Sequence, residues 1–404
     1  MSVGVPLVSA SGEATTLHDR ATPPSPRPGE PAPIAEAEYA ERRAQAQRLM
    51  GELKLGALFV EPGANLQYFS GIRWGRSERL FGMLLPRSGD PLFVVPAFEE
   101  GRAADQIRGR FRMRTWQEDA SPYRLIADAL GEAGVRAGLL AVDESARYFV
   151  PFQLARAAPA LTLTSAEPVS HGSRGVKSAH EIEIMRYANH VTLEVYRSVL
   201  ATLQEGTTQA ELARAVTAAY RKAGYEGYAL VLFGESSAYP HGVPEPRALR
   251  AGDVVLVDGG CNVLGYESDM TRTVVFGTPT AEQQRVWETV RRAQAAALAA
   301  AVPGRRCGEV DAAARKVISD AGYGPDYRLF THRLGHGIGL EGHEWPYLVR
   351  GSDVVMRPGM CFSDEPGVYQ QGKFGMRTED IMTITAAGAE LLTPPATSLS
   401  PALT

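Results

Sequence analysis

The sequence predicts two folded units, an α/β domain and then an α+β domain built from two related halves. Three observations carry this reading. The chain has 404 residues, which at roughly 150 residues per domain holds two or three. Strand-like apolar runs alternate with helical stretches up to about residue 165, and beyond it two helices followed by strands occur twice. That repetition is one of architecture and not of sequence identity. Hydrophobic residues make up 44% of the chain and charged residues 22%, enough apolar material for more than one core.

Residues 1–34 are polar and crowded with proline between Pro23 and Pro33, a density that suits neither helix nor central strand, so a disordered or polyproline-like tail is expected. An Ala/Glu/Arg-rich helix then runs from Ile34 to about Lys54. Gly56-Ala-Leu-Phe-Val reads as a buried strand, similar runs begin at Gly82, Leu92 and Gly138, and the helix Pro122–Glu132 lies among them. These boundaries give an N-terminal α/β domain at 35–165, a linker at 166–178, a second domain at 179–395 and a short tail at 396–404. In the second domain Ser178-x-x-Glu181, Thr208-x-x-Glu211 and Thr280-x-x-Gln283 have capping-box spacing, in which two side chains satisfy each other's backbone N–H groups at a helix start. A fourth helix covers about Glu309–Ala321.

A net charge of -4 lacks the basic excess that nucleic acid or an anionic membrane surface requires. No run approaches 18 uninterrupted apolar residues, so no membrane span is expected. The first basic residue is Arg20 and Pro6 interrupts the short apolar start, which does not match a secretory leader. Cys261, Cys307 and Cys361 are an odd number and far apart, which suits a reducing cytoplasm better than a disulfide framework.

The chemistry is concentrated between His241 and Glu379. Asp253-Val-Val-Leu-Val-Asp258 reads as an apolar strand with Val254, Leu256 and Asp258 on one face, because successive side chains alternate. A carboxylate on such a face is costly unless something neutralises it. Asp269 follows 11 residues later, just before another strand, and a hairpin would bring the two acids together. Glu365 and Glu379 lie on two further strands; each has an acidic neighbour, Asp364 and Asp380, and spacing alone does not decide which acid points inward.

His332, His336 and His343 are three of eight histidines gathered within twelve residues. His332 and His336 stand four apart, as helical ligands do, yet Gly335, Gly337, Gly339 and Gly342 disfavour a helix. Extended alternation instead puts His336, Ile338 and Leu340 on one face and glycines on the other, where something packs close behind. Carboxylates with a single imidazole suit divalent Mn, Co or Zn. Four acids and one histidine exceed the needs of one ion, so two ions sharing carboxylates are expected, able to activate a bridging water and polarise a carbonyl.

Asp258, Asp269, His336, Glu365 and Glu379 resemble the five-ligand signature of the pita-bread metallopeptidases, the group of methionine aminopeptidase, aminopeptidase P, prolidase and creatinase. The 11-, 29- and 14-residue spacings fit that signature. Gly335-His-Gly-Ile-Gly-Leu-Glu-Gly-His-Glu344 and Glu365-Pro-Gly-Val-Tyr369 are most similar to the prolidase and aminopeptidase P branch, and the likeness spans about 36–395. It implies a creatinase-like α/β domain ahead of an α+β pita-bread catalytic domain with pseudo-twofold halves. It further implies that Asp258 is a terminal ligand of one ion, that His336 and Glu365 hold the other, and that Asp269 and Glu379 bridge both. Glu365 would also serve as base for the water, His241 and His343 would hydrogen-bond the substrate and its developing oxyanion, and His332 would line a proline pocket. Tyr369 and Arg377 would support the site. The implied reaction is hydrolysis of the Xaa–Pro peptide bond in dipeptides by a water held between two divalent ions, in a homodimer whose N-terminal domain closes over the partner's site.

A dipeptidase must hold the free proline carboxylate, and Arg350, in the loop after Trp345, is the candidate for a bidentate guanidinium. One departure from the family pattern is Asp364, where relatives usually carry an uncharged residue; a salt bridge with a nearby arginine is expected. Methionine aminopeptidase normally lacks a sizeable N-terminal domain and creatinase lacks the full ligand set, so both fit less well. The alternatives are aminopeptidase P activity on longer peptides, hydrolysis of a non-peptide amide on the same scaffold, and a non-catalytic binding protein, which would typically have lost ligands.

Overall fold

Strand Leu55–Val60 shows how the first domain is built, since its side chains alternate between two cores. Leu58 and Val60 pack with Met50, Phe69 and Val169 on one side of the sheet, and Ala57 and Phe59 with Ile126, Leu130 and Leu154 on the other. Each such side chain, fully buried, contributes about 1.5–3 kcal/mol. The computed structural model describes residues 27, 29–107, 111–243 and 247–403. The sheet has six strands in the order Arg112–Trp116, Leu92–Pro96, Gly82–Pro86, Leu55–Val60, Gly138–Val142 and Leu161–Ser165. Gly82–Pro86 runs antiparallel to both neighbours and the other pairings are parallel.

The second domain has the doubled plan read from the sequence. Helices Ala179–Leu200 and Gln209–Ala223 pack on a sheet of Glu226–Phe233, Val254–Val263 and Met270–Val275. Helices Ala281–Ala300 and Cys307–Asp320 pack on a sheet ordered Glu344–Leu348, Gly335–Gly337, Cys361–Asp364, Asp380–Thr385 and Gly388–Leu391. The three capping boxes form as expected at Ser178, Thr208 and Thr280. Strand Gly335–Gly337 is only three residues long, so the alternation expected through Leu340 stops early. The close packing expected of its glycines is present: a Cβ on Gly335 would lie 2.0 Å from the Ser363 carbonyl oxygen.

Three peripheral expectations change. Residues 1–26 and 28 of the expected tail lie outside the described residues, but Arg27 donates to the Gly224 carbonyl (2.7 Å) and Ile34 is buried, so the tail's end is folded onto the second domain. The expected linker contains the helix Glu167–Arg174, packed on helix Glu36–Glu52. The expected C-terminal tail is anchored by buried Leu399, whose carbonyl accepts from the Val275 N–H at 2.9 Å.

Buried charges join the domains. Arg174 donates to Asn65 Oδ1 (2.8 Å), to Glu341 Oε2 (2.7 Å) and to Glu344, while Lys177 Nζ donates to Glu344 Oε1 at 2.8 Å. Arg42 donates to the Tyr266 hydroxyl (2.8 Å), which in turn donates to Glu181 (2.8 Å). Glu344 directly follows His343, so the first contact set fixes the segment that carries this histidine.

Candidate metal centre

Strand register brings the acids together. Asp258 faces Thr271 across the antiparallel pair, and Asp269 sits one residue before that strand begins, as the hairpin expectation required. Glu365 follows strand Cys361–Asp364 and Glu379 precedes strand Asp380–Thr385. Those two strands pair with Asp364 opposite Asp380. Asp380 is turned away from the site, accepting from Arg272 Nη2 at 2.6 Å and Gln294 Nε2 at 2.9 Å. The ambiguity left by spacing is thus resolved in favour of Glu365 and Glu379. Ligand atoms of Asp258, Asp269 and Glu379 lie within 4.8 Å of one another, and so do those of His336, Glu365 and Glu379.

Whether these residues fit divalent ions is decided at His336. Its Nδ1 lies 3.0 Å from the Gly337 carbonyl oxygen and donates to it, so Nε2 carries a lone pair. That lone pair faces Glu365 Oε1 at 3.4 Å, Asp269 Oδ2 at 3.7 Å and Glu379 Oε1 at 4.0 Å. These separations exceed a hydrogen bond, and they set acceptor against acceptor. Ligands each about 2.1 Å from an ion sit about 3.0–3.4 Å apart, a spacing the Glu365 oxygen meets and the other two exceed by a few tenths of an ångström. Burial, reinforced by Arg and His neighbours, pushes His336 down to about 3, which keeps the ring neutral and able to ligate. Burial and then neighbouring acids hold Asp269, Glu365 and Glu379 well above the ordinary carboxylate range. The donor set therefore fits divalent cations.

One guanidinium serves the acids from within. Arg377 Nη2 donates to Asp258 Oδ2 at 2.6 Å, its Nε to Thr271 Oγ1 at 3.0 Å and its Nη1 to the Tyr369 oxygen at 2.8 Å. His332 Nδ1 donates to the Arg333 carbonyl (2.7 Å), so its Nε2 accepts from the Tyr369 hydroxyl at 2.7 Å. Burial and the charge of Arg377 push His332 down to about 3, and burial pushes Tyr369 up to about 12, so both are neutral at neutral pH.

Two polar residues escaped the sequence reading. Thr271 Oγ1 lies 2.8 Å from Asp258 Oδ1 and 2.7 Å from Glu379 Oε2, and Ser363 Oγ accepts from the His336 N–H (3.0 Å) while contacting Glu365 Oε1 at 3.2 Å. The signal for Thr271 was available, because it shares a strand face with Asp269 by alternation.

The remaining candidates divide. The His343 ring is exposed and stacks on His336, with centroids 3.7 Å apart. His241 is exposed on the loop whose Pro240 carbonyl lies 3.4 Å from Arg377 Nη1, which brings that loop to the site's edge. Arg350 does not join them: half-exposed, it pairs with Asp326 at 2.7 Å and lies over Tyr327. Asp364 does not find its expected arginine either. Among the described residues neither of its buried oxygens has a hydrogen-bond partner, Arg272 being taken by Asp380, and burial, then the neighbouring Asp380, raises its pKa.

Known proteins resemble the chain over both of its domains. Residues 183–386 match metallopeptidase family M24, and residues 42–176 match the creatinase/prolidase N-terminal domain. A probable dipeptidase, PepE, of Mycobacterium tuberculosis is 37% identical over 87% of this chain and 93% of its own. The crystal structure of dipeptidase PepE from Mycobacterium ulcerans superposes with a TM-score of 0.85 at 35% identity, covering 91% of this chain and 98% of that one. The prolidase of Thermococcus sibiricus does so at 0.80 and 32%, covering 88% and 97%.

Proposed function

We propose that this chain, which belongs to metallopeptidase family M24, hydrolyses the Xaa–Pro bond of dipeptides with two divalent ions held by Asp258, Asp269, His336, Glu365 and Glu379. Manganese is the foremost choice, with cobalt or zinc next. The observation that carries the reading is the His336 Nε2 lone pair turned toward three carboxylate groups with one guanidinium among them. The similarity to a prolidase supports the Xaa–Pro substrate class.

When bound, the ions supply a water of lowered pKa and polarise the scissile carbonyl. Glu365 would accept the proton of the attacking water. His343 and His241 donate to the oxygen on which negative charge develops. His332, fixed as one tautomer by the Arg333 carbonyl and Tyr369, offers a neutral ring against which proline packs. Arg377 balances Asp258 and orients Tyr369. The reading includes a homodimer and a cytoplasmic setting, the latter in keeping with three free buried cysteines.

The test is kinetic. After chelation and reconstitution with defined ions, Xaa-Pro dipeptides, Xaa-Pro tripeptides and small N-acyl compounds are compared side by side. Dipeptides should be cleaved fastest, with activity abolished by chelator and restored by Mn or Co. Turnover of tripeptides alone would favour the aminopeptidase P reading, and turnover of N-acyl compounds alone a non-peptide amidase. An ion-free protein that cleaves none of them would point to a binding role.

A further inference from the structure

Beside the site lies a cation with no carboxylate partner among the described residues. Arg333 lies between His332 and strand Gly335–Gly337, and its guanidinium carbon is 4.3 Å from the centroid of the Tyr347 ring. Tyr347 is the register partner of His336, and the next strand residues lead back to His343, whose ring stacks on His336. Arg333 therefore stands over the hairpin that presents both histidines.

The other arginines around this site are engaged. Arg377 is paired with Asp258, Arg174 with Glu341 and Glu344, Arg315 with Asp311, and Arg350 with Asp326. Among the described residues no carboxylate pairs with Arg333, although it is half-buried. A guanidinium packed on an aromatic ring keeps its planar fork of N–H donors, a match to a carboxylate. His332 is the neighbouring residue, and in a Xaa-Pro dipeptide the carboxylate is attached directly to the proline ring.

We propose that Arg333, held against Tyr347, binds the free C-terminal carboxylate of a Xaa-Pro dipeptide and so selects dipeptides over longer chains. The assignment rests on the Xaa–Pro reading above and takes the place of Arg350 within it. A longer peptide or an amide brings no charge to this point and leaves the guanidinium unanswered, the kind of mismatch by which a polar site discriminates strongly.

The experiment compares the metal-reconstituted full chain with Arg333→Ala and Arg333→Lys on Ala-Pro and on Ala-Pro amide. Arg333→Ala should raise KM for the acid about 10- to 100-fold, as expected for a lost charged hydrogen bond. It should change KM for the amide by less than about twofold, leave kcat and bound metal unaltered, and weaken inhibition by free proline about as much as it raises KM. Arg333→Lys, which keeps the charge and loses the fork, should recover part of the loss on the acid alone; it also serves if the alanine variant fails to fold. Equal losses on acid and amide, or none on either, overturn the assignment while leaving an active parent's function intact. A parent inactive on both substrates with its ions bound sinks the Xaa–Pro reading, and the assignment with it.

Discussion

Removing the divalent ions should make the protein's stability fall as pH rises. Four carboxylates crowd around one guanidinium, which leaves three negative charges uncompensated when all are ionised. Asp269, Glu365 and Glu379 are each held above the ordinary carboxylate range by burial and by one another. A group whose folded pKa is raised gives its full stabilisation below its unfolded value, about 4 for these acids, and loses it as pH climbs through the folded value. The ion-free protein should therefore weaken steadily above about pH 4–5. Two divalent ions bring four positive charges, enough to reverse that loss. At an ion concentration 100 times Kd the gain is about 2.7 kcal/mol per site, or about 5–10 °C in Tm for a unit of 150–250 residues. Near pH 4.5 protons compete for the same oxygens and the gain should vanish. Calorimetry between pH 4.5 and 8, on chelated protein with and without Mn, measures both curves. An ion-free Tm that stays flat or rises with pH, or an ion-induced gain that is constant across the range, refutes the electrostatic account.

Further outcomes follow from named contacts. Glu379→Gln, which alters the ligand common to both groups of acids, should lose at least one ion by elemental analysis and at least about 100-fold in turnover; full activity from a metal-free variant would sink the mechanism. His343→Ala should lower kcat by about 100-fold or more with metal content unchanged, as for removal of an oxyanion donor. Tyr369→Phe breaks the link from Arg377 to His332 and should cost about 10-fold in kcat/KM without loss of metal. Asp364→Asn removes a buried carboxyl that resists ionisation, so it should flatten the decline of Tm toward pH 8 and change little near pH 4.

Much of the candidate metal centre was legible in the sequence, because alternation puts Asp258 on the inner face of its strand and the fixed spacings put Asp269 at the start of another and His336 on a third. The choice between Glu365 and Asp364 was not, since it depends on which way strand Cys361–Asp364 faces, and that is set by its pairing with Asp380–Thr385. Arg350 was misplaced for a related reason. Proximity in the chain to His343 suggested proximity in space, but its loop turns outward to Asp326. Arg333 drew no notice beside two histidines, because its lack of a carboxylate partner among the described residues is visible only once the nearby acids have been assigned elsewhere. The helix Glu167–Arg174 lies inside the expected linker, and its Pro168 occupies a first-turn position where its missing N–H costs nothing.

The salt links of Arg174 and Lys177 to Glu344 bear on how such a molecule can change over time. His343 takes its setting from a residue about 170 positions earlier in the chain, across a domain border. A descendant that shed or exchanged its first domain would inherit Glu344 with Lys177 but without Arg174, one of its two cationic partners. The catalytic half is thus no free-standing cassette. Its ancestry and that of the N-terminal domain are tied at one buried carboxylate, and substitutions on either side of the border are heritable only in combinations that keep that carboxylate answered.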